Sequence, residues 1–144
     1  MTTFFVDTNV LIYSRSSPPS AYCDPCLEIL AAIERGEVDA QISTAVLEKV
    51  WHLEVTSRLG AIDGLTAAAH RLFAPVLPVT DEIFARALAL PHPHISAKDR
   101  VHVATCLENG IERIVTADKA FDTVAGLQRI DPCAGAEALL HEPT

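Results

Sequence analysis

Short apolar runs that end in an acid, separated by stretches of helical periodicity, restrict this chain more than any other feature. Phe4, Phe5 and Val6 stop at Asp7, and IERIVTAD, residues 111–118, runs through Val115 and Thr116 to Asp118. A short apolar run with polar ends reads as a buried strand of a sheet covered on both faces. DPCLEILAAIER, residues 24–35, places Leu27, Leu30, Ala31 and Ile33 at roughly helical spacing, with Asp24 or Pro25 as a start and Gly36 as a stop. DAQIST, residues 39–44, predicts a second strand, and STAVLEKVWHLEVTSRLG a helix capped by Ser43 or Thr44. Residues 63–74 give another helix, and PVLPVT, residues 75–80, a short third strand kept near an edge by its prolines. TDEIFARALAL follows as a helix capped by Thr80 or Asp81, then SAKDRVHVATCLENG as a helix from Ser96 to Gly110. IERIVTAD is the fourth strand, and LQRID, residues 127–131, adds a fifth. Strands that alternate with helices need crossover connections, so the fold class is α/β with a mostly parallel, four- or five-stranded sheet flanked by helices.

The 144 residues, 49% of them hydrophobic, suit one domain spanning 1–144. The start lacks a basic segment and an acid interrupts its apolar stretch, so it makes a poor signal peptide; with no membrane-length apolar segment, a cytoplasmic location is expected. A net charge of −8 argues against a broad basic surface that holds nucleic acid by counterion release. A nucleic-acid role must therefore be local, or use metal ions to offset the acids. Of the four cysteines, Cys23 and Cys26 form a C-x-x-C, but Cys106 and Cys133 lie far apart, so neither a zinc ribbon nor a redox motif is supported. PHPHIS, around His92 and His94, reads as a turn-rich loop.

Strands ending at Val6 and Val115 share the carboxyl edge of a parallel sheet, where ligands bind in open α/β folds, so Asp7 and Asp118 become candidate neighbours. Each also has a plain structural role open to it, Asp7 as the cap of the helix beginning near Asn9. Asp99 falls in the first turn of the Ser96 helix, where the helix dipole favours an acid in any protein. Three carboxylates brought together raise one another's pKa unless a cation neutralises them, and Mg²⁺ or Mn²⁺ suits such oxygen donors.

FFVDTNVLIY, ISTAVLEKVW and SAKDRVHVATCLENGIERIVTADKAFD resemble, in order and over nearly the whole chain, the PIN domain and specifically the VapC ribonuclease toxins of type II toxin-antitoxin systems. The resemblance implies a PIN-like three-layer fold and a Mg²⁺-dependent endoribonuclease, with Mn²⁺ as an alternative, that cleaves a structured RNA such as tRNA or rRNA. It also implies a VapB-type antitoxin as partner, and a homodimer. Asp7 and Asp99 match the family's metal-holding acids and Asp118 its further acid; Asp122 is either an outer contributor or simply a cap or solvated acid. Thr8, Asn9 and Thr116 are placed to hydrogen-bond the carboxylates or metal-bound water. Lys98, Arg100 and Lys119 bracket the acids as candidate phosphate contacts, with ordinary charge balance as the alternative. With aromatics at only 6%, no stacking platform for bases stands out.

One position departs from the family pattern. Where it usually carries a glutamate, the alignment of ISTAVLEKVW gives Lys49, with Glu48 next door. Adjacent helical residues diverge by about 100° in direction, so Glu48 does not simply inherit the position. Val46, Val50 and Leu53 mark the buried stripe, which Lys49 flanks. Three explanations stay open: an alignment off by one, a site of three acids plus an ammonium, or an inactivating change. The last corresponds to an impaired PIN module that binds antitoxin or RNA without cleaving. A receiver-like signalling domain wants a pair of acids after the first strand, and a haloacid-dehalogenase-like phosphatase wants D-x-D; VDTN supplies one acid, and Asn9 stands at the second.

Overall fold

The computed structural model describes residues 2–16, 20–56, 62–91 and 94–140. Four strands form one parallel sheet: β1 (Thr3–Val6), β2 (Asp39–Gln41), β3 (Arg113–Val115) and β4 (Gln128–Ile130), in the order β2-β1-β3-β4. Phe5 pairs with Gln41 on one side and with Ile114 on the other, and Val115 pairs with Ile130. Phe4, Phe5, Val6, Ile114 and Val115 are all buried, as their unbroken apolar character demands.

Between β1 and β2 run α1 (Thr8–Tyr13) and α2 (Cys23–Glu34); between β2 and β3 run α3 (Thr44–Thr56), α4 (Leu65–Phe73), α5 (Asp81–Ala89) and α6 (Ala97–Glu108). β2 and β3 lie on opposite sides of β1, so right-handed crossovers send the two helix groups to opposite faces. The packing of α3 on α4, of α5 on α6, and of α2 on the terminal α7 (Gly135–Leu140) agrees with that three-layer arrangement. Asp7 leaves the sheet at the switch point between β1 and β3, where a crevice opens beyond the strands' carboxyl ends.

Local signals account for most boundaries. The Thr80 hydroxyl accepts from the Ile83 amide and the Ser96 hydroxyl from the Asp99 amide, capping α5 and α6. Ser43 caps α3 by accepting from the Val46 amide. Val46 and Val50 face the core. PVLPVT forms no strand: Leu77 makes a single parallel bridge to Ser43, and Pro75 and Pro78 have no N–H to extend it. LQRID does form a strand, β4. Short α7 and the 3-10 helices Lys119–Thr123 and Pro132–Ala134 have too few residues to show a periodic signal. His92 lies outside the described residues; His94 is exposed. Cys23, Cys26 and Cys106 are buried free thiols and Cys133 an exposed one, and burial pushes Cys26 up to about 12, so it packs as a neutral group. No helix among the described residues is long and apolar enough to cross a membrane.

Candidate active site

Asp7 is 6% exposed and has several partners. Its Oδ1 accepts from the Thr8 amide at 2.7 Å, which caps α1 and fulfils the plain structural role of an acid there. Its Oδ2 accepts from the Thr116 hydroxyl at 2.7 Å and from Asn9 Nδ2 at 3.3 Å. The Thr116 hydroxyl also accepts from Asn9 Nδ2 at 2.9 Å and from the Asp118 amide at 3.1 Å, which uses its donor and both lone pairs. Asn9 Oδ1 accepts from the Ala117 amide, so one side chain ties α1 to the loop leaving β3. Asp118 Oδ1 accepts from the Ala120 amide and starts the 3-10 helix. The Thr8 hydroxyl is buried with no hydrogen-bond partner among the described residues.

Asp99 reaches the other two acids from the first turn of α6. Its carboxyl is pushed up to about 6, first by burial, then by the charges of Asp7 and Asp118, and by a hydrogen bond to Asp118 that only the protonated acid donates; Ser96 offsets part of this. The three acids singled out in the sequence therefore converge, from the end of β1, the start of α6 and the end of β3.

Asp7 and Asp99 share a cavity of about 360 Å³ with Thr8, Asn9, Tyr13, Lys49, Lys98 and His102. Lys49 thus faces the carboxylates, whereas Glu48 is exposed and borders an adjoining hollow with His52. Partial burial, and then the nearby charge of Lys49, hold the Lys98 ammonium below its usual range.

Other candidates lie elsewhere. Asp122 does not line the cavity: both its oxygens accept from Arg129, at 2.9 and 3.2 Å. Arg100 turns its Nε back to the Ile95 carbonyl, and Lys119 is exposed at the start of the 3-10 helix. Neither borders the cavity.

His102 received no role from the sequence, although it stands three residues after Asp99, a spacing that shares a helix face. It is 1% exposed, packs its ring against Phe5, and sets Nε2 3.6 Å from Asp7 Oδ1, while Nδ1 has no partner among the described residues. Burial pushes its pKa down, against the pull of Asp7, so the ring is a neutral support beneath the carboxylate.

Among the described residues no group of three or more His, Cys, Asp or Glu side chains stands ready-made for a metal ion. The donor chemistry nevertheless fits a hard divalent cation, because Asp99 is raised first by burial and then by the charges of Asp7 and Asp118, and such an ion offsets both.

A parallel sheet of order β2-β1-β3-β4 with acids gathered beyond β1 and β3 defines a PIN-like α/β protein. The chain belongs to the PIN domain family, whose sequence profile matches residues 4–127. Ribonuclease VapC13 of Mycobacterium tuberculosis is 31% identical over 131 residues, 87% of this chain and 97% of that protein. Ribonuclease VapC7 of the same organism is 27% identical over 145 residues, 95% of this chain and 97% of its own. Among solved structures, M. tuberculosis VapC20, described as a Sarcin-Ricin loop cleaving toxin, superposes with a TM-score of 0.66 at 23% identity, covering 85% of this chain and 95% of that one. VapBC2 from Rickettsia felis, bound to a promoter DNA fragment, gives 0.68 at 12% identity over 90% and 98% of the two chains. These two likenesses show the shared fold.

Proposed function

We propose that the chain is the toxin of a VapBC-type toxin-antitoxin pair and a metal-dependent endoribonuclease that cleaves tRNA or rRNA in the cytoplasm. One observation carries the chemistry: Asp7, Asp99 and Asp118 come from three separate elements yet converge, and burial, followed by the charges of Asp7 and Asp118 and a hydrogen bond to Asp118, holds Asp99 at about 6. A helix start explains each acid singly, Asp7 and Asp118 as caps and Asp99 in a first turn, but not their convergence. The naming of the curated relatives as ribonucleases supports the same reading.

In this reading Asp7, Asp99 and Asp118 hold Mg²⁺ or Mn²⁺. A bound divalent cation supplies an activated water and charge stabilisation at phosphorus and the leaving oxygen. Thr116 and Asn9 fix the direction of the Asp7 carboxylate, and buried His102 closes the space behind it. Ser96 caps the first turn of α6, from which Asp99 reaches Asp118. Asp122, paired with Arg129, acts only indirectly, through the Arg129 contact to the Thr116 carbonyl.

A VapB-type antitoxin is the partner, by analogy with the toxin-antitoxin complexes that share the fold, and the toxin is a homodimer. Lys49 in the cavity favours a second reading, a PIN module that binds antitoxin or RNA with cleavage impaired.

The test is to incubate the purified chain with total bacterial RNA in Mg²⁺, Mn²⁺ or EDTA, beside Asp7→Asn, and to map new 5′ ends. Discrete cuts that need metal and vanish in Asp7→Asn are expected. Silence of the wild type, with cutting gained on Lys49→Glu, would establish the second reading instead.

A further inference from the structure

Lys49, in the middle of α3, and Lys98, at the start of α6, come from helices that pack together and border the cavity that holds Asp7 and Asp99. The same two side chains also border the adjoining hollow of about 220 Å³, with Ala45, Glu48 and His52. They therefore stand on the ridge between two depressions, with Asp7 and Asp99 on one side and Glu48 on the other. Among the described residues neither lysine has a carboxylate within 4 Å, although acids are close by; Arg35, Arg86 and Arg129 all have one. Internal counter-ions would close on their acids. These two side chains instead lie beside each other, both lining the cavity and the adjoining hollow. Like charges held side by side, with neither bridged to an acid within 4 Å, make an anion seat.

We propose that Lys49 and Lys98 form a paired-ammonium seat for one RNA backbone phosphate, on the ridge beside the Asp7–Asp99 cavity. This rests on the ribonuclease reading and deepens it. A bound divalent cation and the two ammoniums balance Asp7, Asp99, Asp118 and Glu48, and the phosphate is drawn to the two ammoniums because neither is bridged to any of these acids. A strand laid across the ridge then runs from one hollow to the other, with a phosphate at the crossing. Lys49 thereby acts on substrate rather than on the cation.

The test is fluorescence anisotropy of labelled bulk tRNA over a KCl series, with Ca²⁺ replacing Mg²⁺ to limit turnover and gels run to confirm intact RNA. Lys49→Ala and Lys98→Ala are each expected to weaken binding about tenfold. Each should also flatten the slope of log affinity against log salt by about 0.7, the value for one single-strand phosphate contact. Lys49→Arg should keep the wild-type slope, and Lys49→Gln should behave as Lys49→Ala, so that loss of charge is separated from loss of fold. Arg71→Ala, an exposed cation on α4 outside the cavity, should change neither quantity. Wild-type slopes in both lysine variants, or a wild type that binds no tRNA, overturn the seat. If the wild type still cuts RNA with Mg²⁺ or Mn²⁺ in those cases, the ribonuclease reading survives; if it neither binds nor cuts, both fall.

Discussion

Two acidic clusters lie near the carboxyl ends of β3 and β4, and they differ in what answers their charge. In the first, Arg129 extends from β4, donates twice to Asp122, and reaches the Thr116 carbonyl at 3.2 Å and Asp131 at 3.4 Å. The hydrogen bonds from Arg129 hold the Asp122 carboxyl below its usual range. In the second, Asp7, Asp99 and Asp118 face one another with no guanidinium among them, and Asp99 is pushed up to about 6. The first cluster is complete as it stands. The second has hydroxyl and amide donors at Asp7 and no arginine partner, with Lys49 and Lys98 only bordering its cavity, so the same residue type is bridged in one place and set against its own kind in the other.

The comparison is broken most severely at Asp7. Asp7→Asn should lower metal-dependent RNA cleavage by at least about a hundredfold, beyond the range expected for losing an outer contact, while circular dichroism and gel filtration remain native. Equal cleavage by this variant would remove the acid cluster from the chemistry. Arg129→Ala acts on the other cluster. It strips a charged donor from the Thr116 carbonyl and from two acids, and should cost about 1–2 kcal/mol, read as a melting temperature several degrees lower. Cleavage by the folded fraction should persist; its loss would mean that the two clusters are one site.

Asp99→Asn sharpens the contrast through pH. Raised in the native state from an ordinary value of 3.8 to about 6, the Asp99 carboxyl binds more protons folded than unfolded between those values. Its ionisation therefore erodes stability as pH rises from about 4 to 6, and the penalty is complete above 6. In the absence of metal, Asp99→Asn should be more stable than wild type at pH 7.5 by roughly 1 kcal/mol, well under what a fully buried group gives because solvent screens this one. The gain should shrink toward pH 4 in thermal melts. A destabilised variant at pH 7.5 would show that Asp99 is held by attraction instead. The smallest effect belongs to Asp122→Asn, which loses only an exposed pair and should leave both the melting temperature and cleavage within error.

The sheet was legible because Phe4–Val6 and Ile114–Val115 are unbroken apolar runs, and the helices because hydroxyl caps such as Thr80 and Ser96 announce them. PVLPVT misled because an apolar run between prolines resembles an edge strand, yet has too few amides for more than the Leu77 bridge. The site was legible as a set of acids after strands and in a helix's first turn. The roles of their neighbours were not, since they depend on side-chain direction. Arg129 captures Asp122, Arg100 turns away, and His102 slides under Asp7, and no spacing along the chain distinguishes these outcomes. Position 49 was readable from the apolar stripe of α3, because Val46, Val50 and Leu53 fix which neighbour faces inward.

Calorimetric titration of Mn²⁺ into the metal-free protein at pH 6, in buffers of different ionisation heat, tests the central claim most directly. With Asp99 near half-protonated there, the wild type should bind one Mn²⁺ and release a fraction of a proton; Asp99→Asn should bind more weakly without that release, and Asp122→Asn should match the wild type. Absence of binding in the wild type, or equal affinity and proton release in Asp99→Asn, would contradict a cation site built on Asp7, Asp99 and Asp118.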